Sequence, residues 1–350
     1  MNLTAGTYKI DNRTLPWQIK WNSLRSLPQL SNKENKGVAA VFSGFVGSEL
    51  IIAGGTNFLD KMPWEGGKKN WERVLYCVDI DSGEFQWKMI SDFLPVPVAY
   101  GVSIQLEQGV LCIGGCDADR CFDEVFFIYK ENGMFRLSND WPSLPVPLAN
   151  ATGALLDNKI YIAGGQEEMI EENATNHFFV LDLDNKDKGW TVLPAWDGSA
   201  RGYAVGVAIN KGKNAGFYLF SGRDYRSSGY VEILTDGHMF DPVLNSWTQL
   251  QGTFSVMGGT AFAQTGDVVF LGGVTKLLPG SYHHPGFDNI LRVYDPVAGV
   301  FVYEEILSFP VPVTTNIAKW KNNFYITSGE IKPGMRTPSI YRGRILPVRK

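Results

Sequence analysis

The chain has 350 residues, of which 44% are hydrophobic and 19% charged, ample for a large core and wrong for a disordered chain. A net charge of −4 offers nucleic acid no basic field, and no apolar run reaches the roughly eighteen residues of a membrane-spanning helix. Met1 to Trp21 holds no apolar stretch of signal-peptide length, so a cytoplasmic protein is expected, or a periplasmic one where a leader has been removed.

In chain order, the first predicted element is a lone strand, Gln18-Ile19-Lys20-Trp21-Asn22-Ser23-Leu24, followed by Leu27-Pro28. Six strands rich in β-branched and aromatic residues come next, each closing on a small residue and a glycine: SELIIAGG, GVLCIGG, KIYIAGG, GFYLFSG, DVVFLGG and NFYITSG. The closing glycines are Gly55, Gly115, Gly165, Gly222, Gly273 and Gly329, a period of 50 to 60 residues. That is too long for a helical solenoid and suits one four-stranded propeller blade.

Each repeat continues with an apolar strand that often ends in aspartate, as at Val78-Asp79, Leu181-Asp182, Phe240-Asp241 and Tyr294-Asp295. Trp87, Trp190, Trp247 or Phe301 follows, and a stretch such as Leu94-Pro95-Val96-Pro97 leads into the next repeat. The second repeat has Phe135 and Leu137 near the tryptophan position and reads as a degenerate blade. These spacings describe the Kelch repeat. They predict an all-β, six-bladed Kelch-type β-propeller, one domain over 1–350, with aromatics filling the wedges between blades. The last repeat stops after three strands, at Ser339-Ile340-Tyr341-Arg342, whereas Gln18 to Leu24 carries the tryptophan and Leu-Pro that close a blade elsewhere. The N-terminal strand is therefore expected to complete the C-terminal blade, closing the ring and removing two exposed sheet edges.

The four cysteines lack the paired CxxC spacing of a zinc site. Cys77 and Cys112 fall inside apolar strands and read as inert core residues. Cys116 and Cys121 flank a predicted hairpin loop and can pair in an oxidising compartment; the sequence leaves this open. His177, His238, His283 and His284 are the only histidines, and the adjacent last two read as exposed loop, unlike a copper site of the galactose oxidase kind. No metal and no organic cofactor is expected.

In a propeller, the loops after each second strand and before each first strand share one face around the channel. The stretch Ser328 to Thr337 is the segment of that face least like a plain turn, with Glu330 and Arg336 six residues apart across Pro333-Gly334. Arginine can hold a carboxylate with two hydrogen bonds, and a glutamate in a partly dry channel is suited to proton transfer. The alternative is that the two simply pair and staple the loop.

The motif Gly329-Glu330-x-Lys332-Pro333-Gly334-x-Arg336-Thr337 resembles a signature of the bacterial N-acetylneuraminate (sialic acid) mutarotase family, which are six-bladed Kelch propellers. Gly37 to Val41, Ala99 to Ser103, and the loop Gly54 to Trp71 with Gly66-Gly67-Lys68-Lys69 are similar to segments of that family, and the resemblance extends over most of the chain. In the family the motif lies in mid-chain with those segments after it, so the resemblance implies a cyclically permuted blade order here. The Met257-Gly258-Gly259 lead-in lacks a histidine that the family carries nearby.

The resemblance implies an isomerase acting on a small-molecule sugar acid, with Glu330 as catalytic acid/base and Arg336 as its substrate-binding or catalytic partner. Arg201, Arg223, Tyr100 and Tyr203 are candidate substrate-binding supports. A Kelch propeller that binds a protein on the same face, without chemistry, is the competing reading. Nothing in the composition points to nucleic acid or membrane as a partner, and no feature specifies an oligomeric state.

Overall fold

A computed structural model describes residues 10–29, 34–170, 174–225 and 231–348. The start of the stretch read for a leader, residues 1–9, lies outside them. The described residues build six four-stranded antiparallel sheets. Blade one comprises Phe42–Val46, Glu49–Ala53, Leu75–Asp79 and Lys88–Ile90. Blades two to five span 102–138, 152–192, 205–249 and 260–306. Blade six takes Ile317–Trp320, Asn323–Thr327 and Ile340–Pro347 from the C-terminal end, and its outer strand is Trp17–Ser23. The expected closure is thus the observed one, in a register that runs from Trp17 opposite Pro347 to Ser23 opposite Tyr341.

The core is the set of seams between blades. Six apolar clusters each join two neighbouring blades: Phe42, Ile51 and Leu75 of blade one meet Val110, Cys112 and Ile128 of blade two, and so on around to Phe45 and Leu50 of blade one against Ala318 and Tyr325 of blade six. A blade exposes an apolar face on each side, so only a closed ring buries all of them. The tryptophans work at the rim of these seams. Trp87, Trp190 and Trp247 donate their indole N–H to the carbonyls of Arg25, Pro142 and Pro194, each in the segment leading into its own blade. In blade two, Phe135 and Leu137 pack on the seam with blade one without such a bond, as a degenerate repeat would.

The first strands of blades two to six line a central channel, with Ala40 and Val41, just ahead of the first strand of blade one, completing it. At one mouth their lead-in residues form a hydrogen-bonded collar. Ala40 donates to Thr314, Tyr100 to Ala40, Asn150 to Tyr100, Tyr203 to Asn150, Gly258 to Tyr203 and Thr314 to Gly258, backbone to backbone at 2.7–2.9 Å. All six have left-handed backbone angles, with φ between +47° and +63°. Five are not glycine, and each bears the cost of about 1–2 kcal/mol that an L side chain meets there. The closed hydrogen-bond ring offsets it. The junction of blades six and one is built like the others: the Gly329 N–H meets the Val38 carbonyl at 2.8 Å, as Gly55 meets Val98 and Gly115 meets Leu148.

Candidate active site at the channel mouth

Immediately outside the collar, the residue after each closing glycine forms a second tier. Thr56, Cys116, Gln166, Arg223, Val274 and Glu330 pair, in that order, with Ala39, Ala99, Ala149, Gly202, Met257 and Val313, the residues just before the collar positions. The glycine is what allows it. Gly329 has φ +118°, and a Cβ there would lie 2.9 Å from the Val313 carbonyl oxygen and 2.8 Å from the Pro312 side chain.

Beyond this tier each second strand runs on into a short hairpin. In blade six, Glu330–Lys332 returns as Met335–Arg336, and Glu330 stands directly opposite Arg336. The flanking backbone bond is from Thr337 to Gly329, so the pair occupies a non-hydrogen-bonded position, where cross-strand side chains lie closest. The Arg336 Nη1 is 3.3 Å from the Glu330 Oε1. The Gly334 N–H donates to the same oxygen at 2.6 Å, and the Thr314 hydroxyl donates to Oε2 at 3.4 Å. The places equivalent to this pair in blades one to four hold Thr56 with Trp71, Cys116 with Cys121, Gln166 with Ala174, and Arg223 with Ile233. Among them only blade six joins opposite charges.

The hairpin is held from both sides. Pro63 and Trp64, in the loop of blade one, lie against Gly334, and Gly280 and Phe287 of the blade-five loop meet Pro333 and the Ile331 carbonyl. Thr314, Gly258, Ala40, Tyr100, Asn150 and Tyr203 all line the channel cavity, with the two tyrosine rings edge to face at 6.5 Å, and the Thr314 hydroxyl reaches Glu330. A small ligand seated on the collar meets a carboxylate on one side and aromatic and amide groups on the other.

The predicted residues divide. Glu330, Arg336, Tyr100, Tyr203 and Arg223 all belong to the collar or to the hairpins rooted on it. Arg336 does not present itself as a carboxylate clamp, because its side chain is only 4% exposed. Its Nε donates to the Thr56 carbonyl at 3.4 Å and its guanidinium lies 4.9 Å from the Phe58 ring centre, so it backs Glu330. Arg201 is a correction. It is fully buried, bidentate to Asp236 at 2.8 Å on both nitrogens, bonded to the carbonyls of Ser199 and Ser221, and stacked over Trp196. Every donor faces the protein, and it cannot touch a ligand. Burial alone would raise the Asp236 carboxyl, but hydrogen bonds from His238 and Arg201, with their charge, hold it well below the usual range. His284 is a second correction: it is buried, 5% exposed, with its Nδ1 accepting the Gly286 N–H, although His283 beside it is exposed.

Lys69 was not among the sequence candidates. Its Nζ donates to the Tyr100 phenol oxygen at 3.0 Å and lies 5.2 Å from the Trp71 ring centre. Only the pairing of Asn57 with Asn70 brings it back over the collar, and no spacing rule reads a register across a loop of that length.

The fold and this mouth define a class, a six-bladed propeller with a carboxylate–guanidinium pair in a hairpin rooted on its collar. The chain belongs to the N-acetylneuraminate epimerase family, whose model matches residues 5–133 and 141–289. Similar proteins include the N-acetylneuraminate epimerases of Yersinia pestis (strain Pestoides F), 27% identical over 237 residues, and of Escherichia coli O1:K1 / APEC, 25% identical over 228 residues. These alignments take in 59% and 57% of this chain, and the chain spans only 58% and 59% of those relatives. A solved structure of YjhT superposes with a TM-score of 0.65 over 90% of this chain and 96% of that one, at 13% identity, which shows a shared fold.

Proposed function

We propose that the protein is a mutarotase that interconverts the anomers of N-acetylneuraminate or a closely related sialic acid. The observation that carries this reading is the Glu330 carboxylate, with one oxygen held by Gly334 and Arg336 and the other turned to Thr314 of the collar. Mutarotation needs a base for the anomeric hydroxyl proton. Loss of that proton drives formation of the C=O bond as the ring C–O bond breaks, and the ring oxygen takes up a proton from solvent, which regains it on closure; rotation and the reverse steps give the other anomer. Glu330 acts as the base through Oε2, directly or through water, and returns the proton on closure. Arg336 is a positioning residue that fixes the carboxylate and balances its charge. Tyr100, Tyr203 and Arg223 face or flank the sugar. On this reading the blade order is permuted relative to the family, which is supported by the family match ending at residue 289, ahead of the Glu330–Thr337 motif.

The test is anomer equilibration of freshly dissolved N-acetylneuraminate, followed by NMR with the wild type and with Glu330→Gln. Acceleration that disappears in the variant supports the reading. Absence of acceleration by the wild type overturns it and favours a protein-binding propeller.

A further inference from the structure

Among the described residues, Arg336, Arg201, Arg223 and Lys332 are each engaged elsewhere, so none of these four is offered to the carboxylate of a ligand beside the base. Arg336 is spent on Glu330 and Thr56, Arg201 is sealed behind Trp196, and Arg223 has partners of its own. Lys332, in the same hairpin as Glu330, lies toward His284 in the blade-five loop.

Lys69 differs from all of these. It is half-buried, its ammonium lies 4.8 Å from the Tyr100 ring centre and 5.2 Å from that of Trp71, and among the described residues its one hydrogen bond is to the Tyr100 phenol. Among the described residues no carboxylate lies within ion-pair distance of it. Glu72, three residues on, takes the amide N–H groups of Asn57 and Asn70 instead. Fixing a lysine costs about 1.5–2 kcal/mol of side-chain entropy, and aromatic faces strip part of its hydration shell. A cation held this way without a counter-ion is arranged for an anion that arrives from outside.

Its position relative to the base is also defined. The Tyr100 hydroxyl is 3.5 Å from the Thr56 Oγ1, the Thr56 carbonyl takes the Arg336 Nε, and Arg336 backs Glu330. Lys69 and Glu330 thus stand at the two ends of one continuous line of contacts across the seam of blades one and six. A sialic acid carries its carboxylate on the anomeric carbon itself, so the group that binds the charge and the group that moves the proton must flank the same atom.

We infer that Lys69 is the cation that holds the ligand's carboxylate, with Tyr100 and Trp71 fixing the ammonium in place. The inference rests on the mutarotase reading for the identity of the sugar, but not for the charge it recognises. The experiment is equilibrium calorimetry of N-acetylneuraminate and of its carboxyl methyl ester with the wild type, Lys69→Met, Lys69→Arg and Lys332→Met. Expected is a loss of about ten- to a hundredfold in affinity for the free acid in Lys69→Met, part recovery in Lys69→Arg, no loss in Lys332→Met, and an ester that binds wild type and Lys69→Met alike. Equal weakening of acid and ester in Lys69→Met overturns the inference, since it marks a structural role, and so does unchanged or absent binding of the acid. Because binding is read without turnover, Lys69-dependent binding of the acid with no acceleration of mutarotation overturns the enzyme reading and leaves the carboxylate site standing.

Discussion

Glu330 of blade six and Cys116 of blade two hold the same place in the ring. Each follows a small residue and a glycine, each is bridged to the residue before a collar position, and each faces a cross-strand partner, Arg336 and Cys121 respectively, at a non-hydrogen-bonded site. The backbone is nearly six-fold, so the chemistry of each mouth position is set by side chains alone. Function in such a ring is a matter of which blade carries which pair.

If Glu330 is the base, Glu330→Gln keeps the hairpin, since an amide oxygen can still accept the Gly334 N–H, and abolishes proton transfer. The rate of equilibration is expected to fall by about a hundredfold or more with little change in thermal stability. Arg336→Lys, which keeps the charge and loses the planar fork, is expected to lower kcat while leaving KM nearly unchanged, and Arg336→Met to lower kcat further. A change in KM alone would assign Arg336 to binding instead.

Gly334 is the turn residue that holds the catalytic oxygen. Its φ is +80°, and a Cβ would meet the Pro63 Cδ at 2.5 Å. Gly334→Ala is therefore expected to cost about 1–2 kcal/mol locally and to push the hairpin away from the blade-one loop. NMR equilibration rates should fall while the far-UV circular dichroism stays that of the wild type. A fully active variant would mean that the Gly334 N–H does not position Glu330.

The ring, its closure and the Glu330–Arg336 pair are legible in the sequence because each rests on a local pattern: alternating apolar strands, glycine pairs, and two charges across a Pro-Gly turn. What escapes is set by tertiary placement. Arg201 follows the same lead-in pattern as Tyr100 and Tyr203 but sits two residues before the collar position, and its side chain turns to Asp236, in the loop just before the third strand of blade four. Lys69 reaches the collar only through a long loop. Neither the inward turn of one cation nor the return of the other has a sequence period.

Closure by the N-terminal strand makes a quantitative prediction. Trp17 is 5% exposed, packs in the cluster that joins blades five and six, and donates its indole N–H to the Thr265 hydroxyl at 3.2 Å. Arg13, just before it, pairs with Asp267 and Asp295 of blade five. Trp17→Ala should lower unfolding stability by about 3–5 kcal/mol, as for other large-to-small core changes, measured by urea denaturation. A loss under about 1 kcal/mol would show that the strand adds little to the ring.

Arg201 and Asp236 set the acid stability of blade four. The Asp236 carboxyl is lowered in the folded state, so the pair contributes stability above the unfolded carboxyl value of about 3.9 and loses it as pH falls toward the lower folded value. Arg201→Met strands Asp236 beside His238 and should cost about 3–5 kcal/mol near neutral pH. The difference in stability between wild type and variant should shrink below about pH 4. A difference that is flat from neutral pH to the acid limb would locate the role of Arg201 in packing on Trp196 alone.

Cys116 and Cys121 provide the last test of the ring's equivalence. A non-hydrogen-bonded antiparallel pair brings Cα atoms to about 4.5 Å, inside the range of about 4.4–6.8 Å that a disulfide spans. Both thiols are free and buried. The Cys116 thiol is raised, first by its hydrogen bond to Cys121 and then by burial, and the same bond lowers Cys121, which makes Cys121 the attacking sulfur. Burial pushes Cys77 up to about 11 and Cys112 up as well. With oxidised glutathione, the Cys121 thiolate attacks one sulfur and releases a glutathione thiol, then Cys116 displaces the second, leaving an internal disulfide. Native thiol counting and mass spectrometry should show two thiols lost per chain, both from this pair, with Cys77 and Cys112 intact. Stable mixed disulfides with glutathione would show that the two sulfurs do not face each other, and that the hairpin of blade two departs from that of blade six.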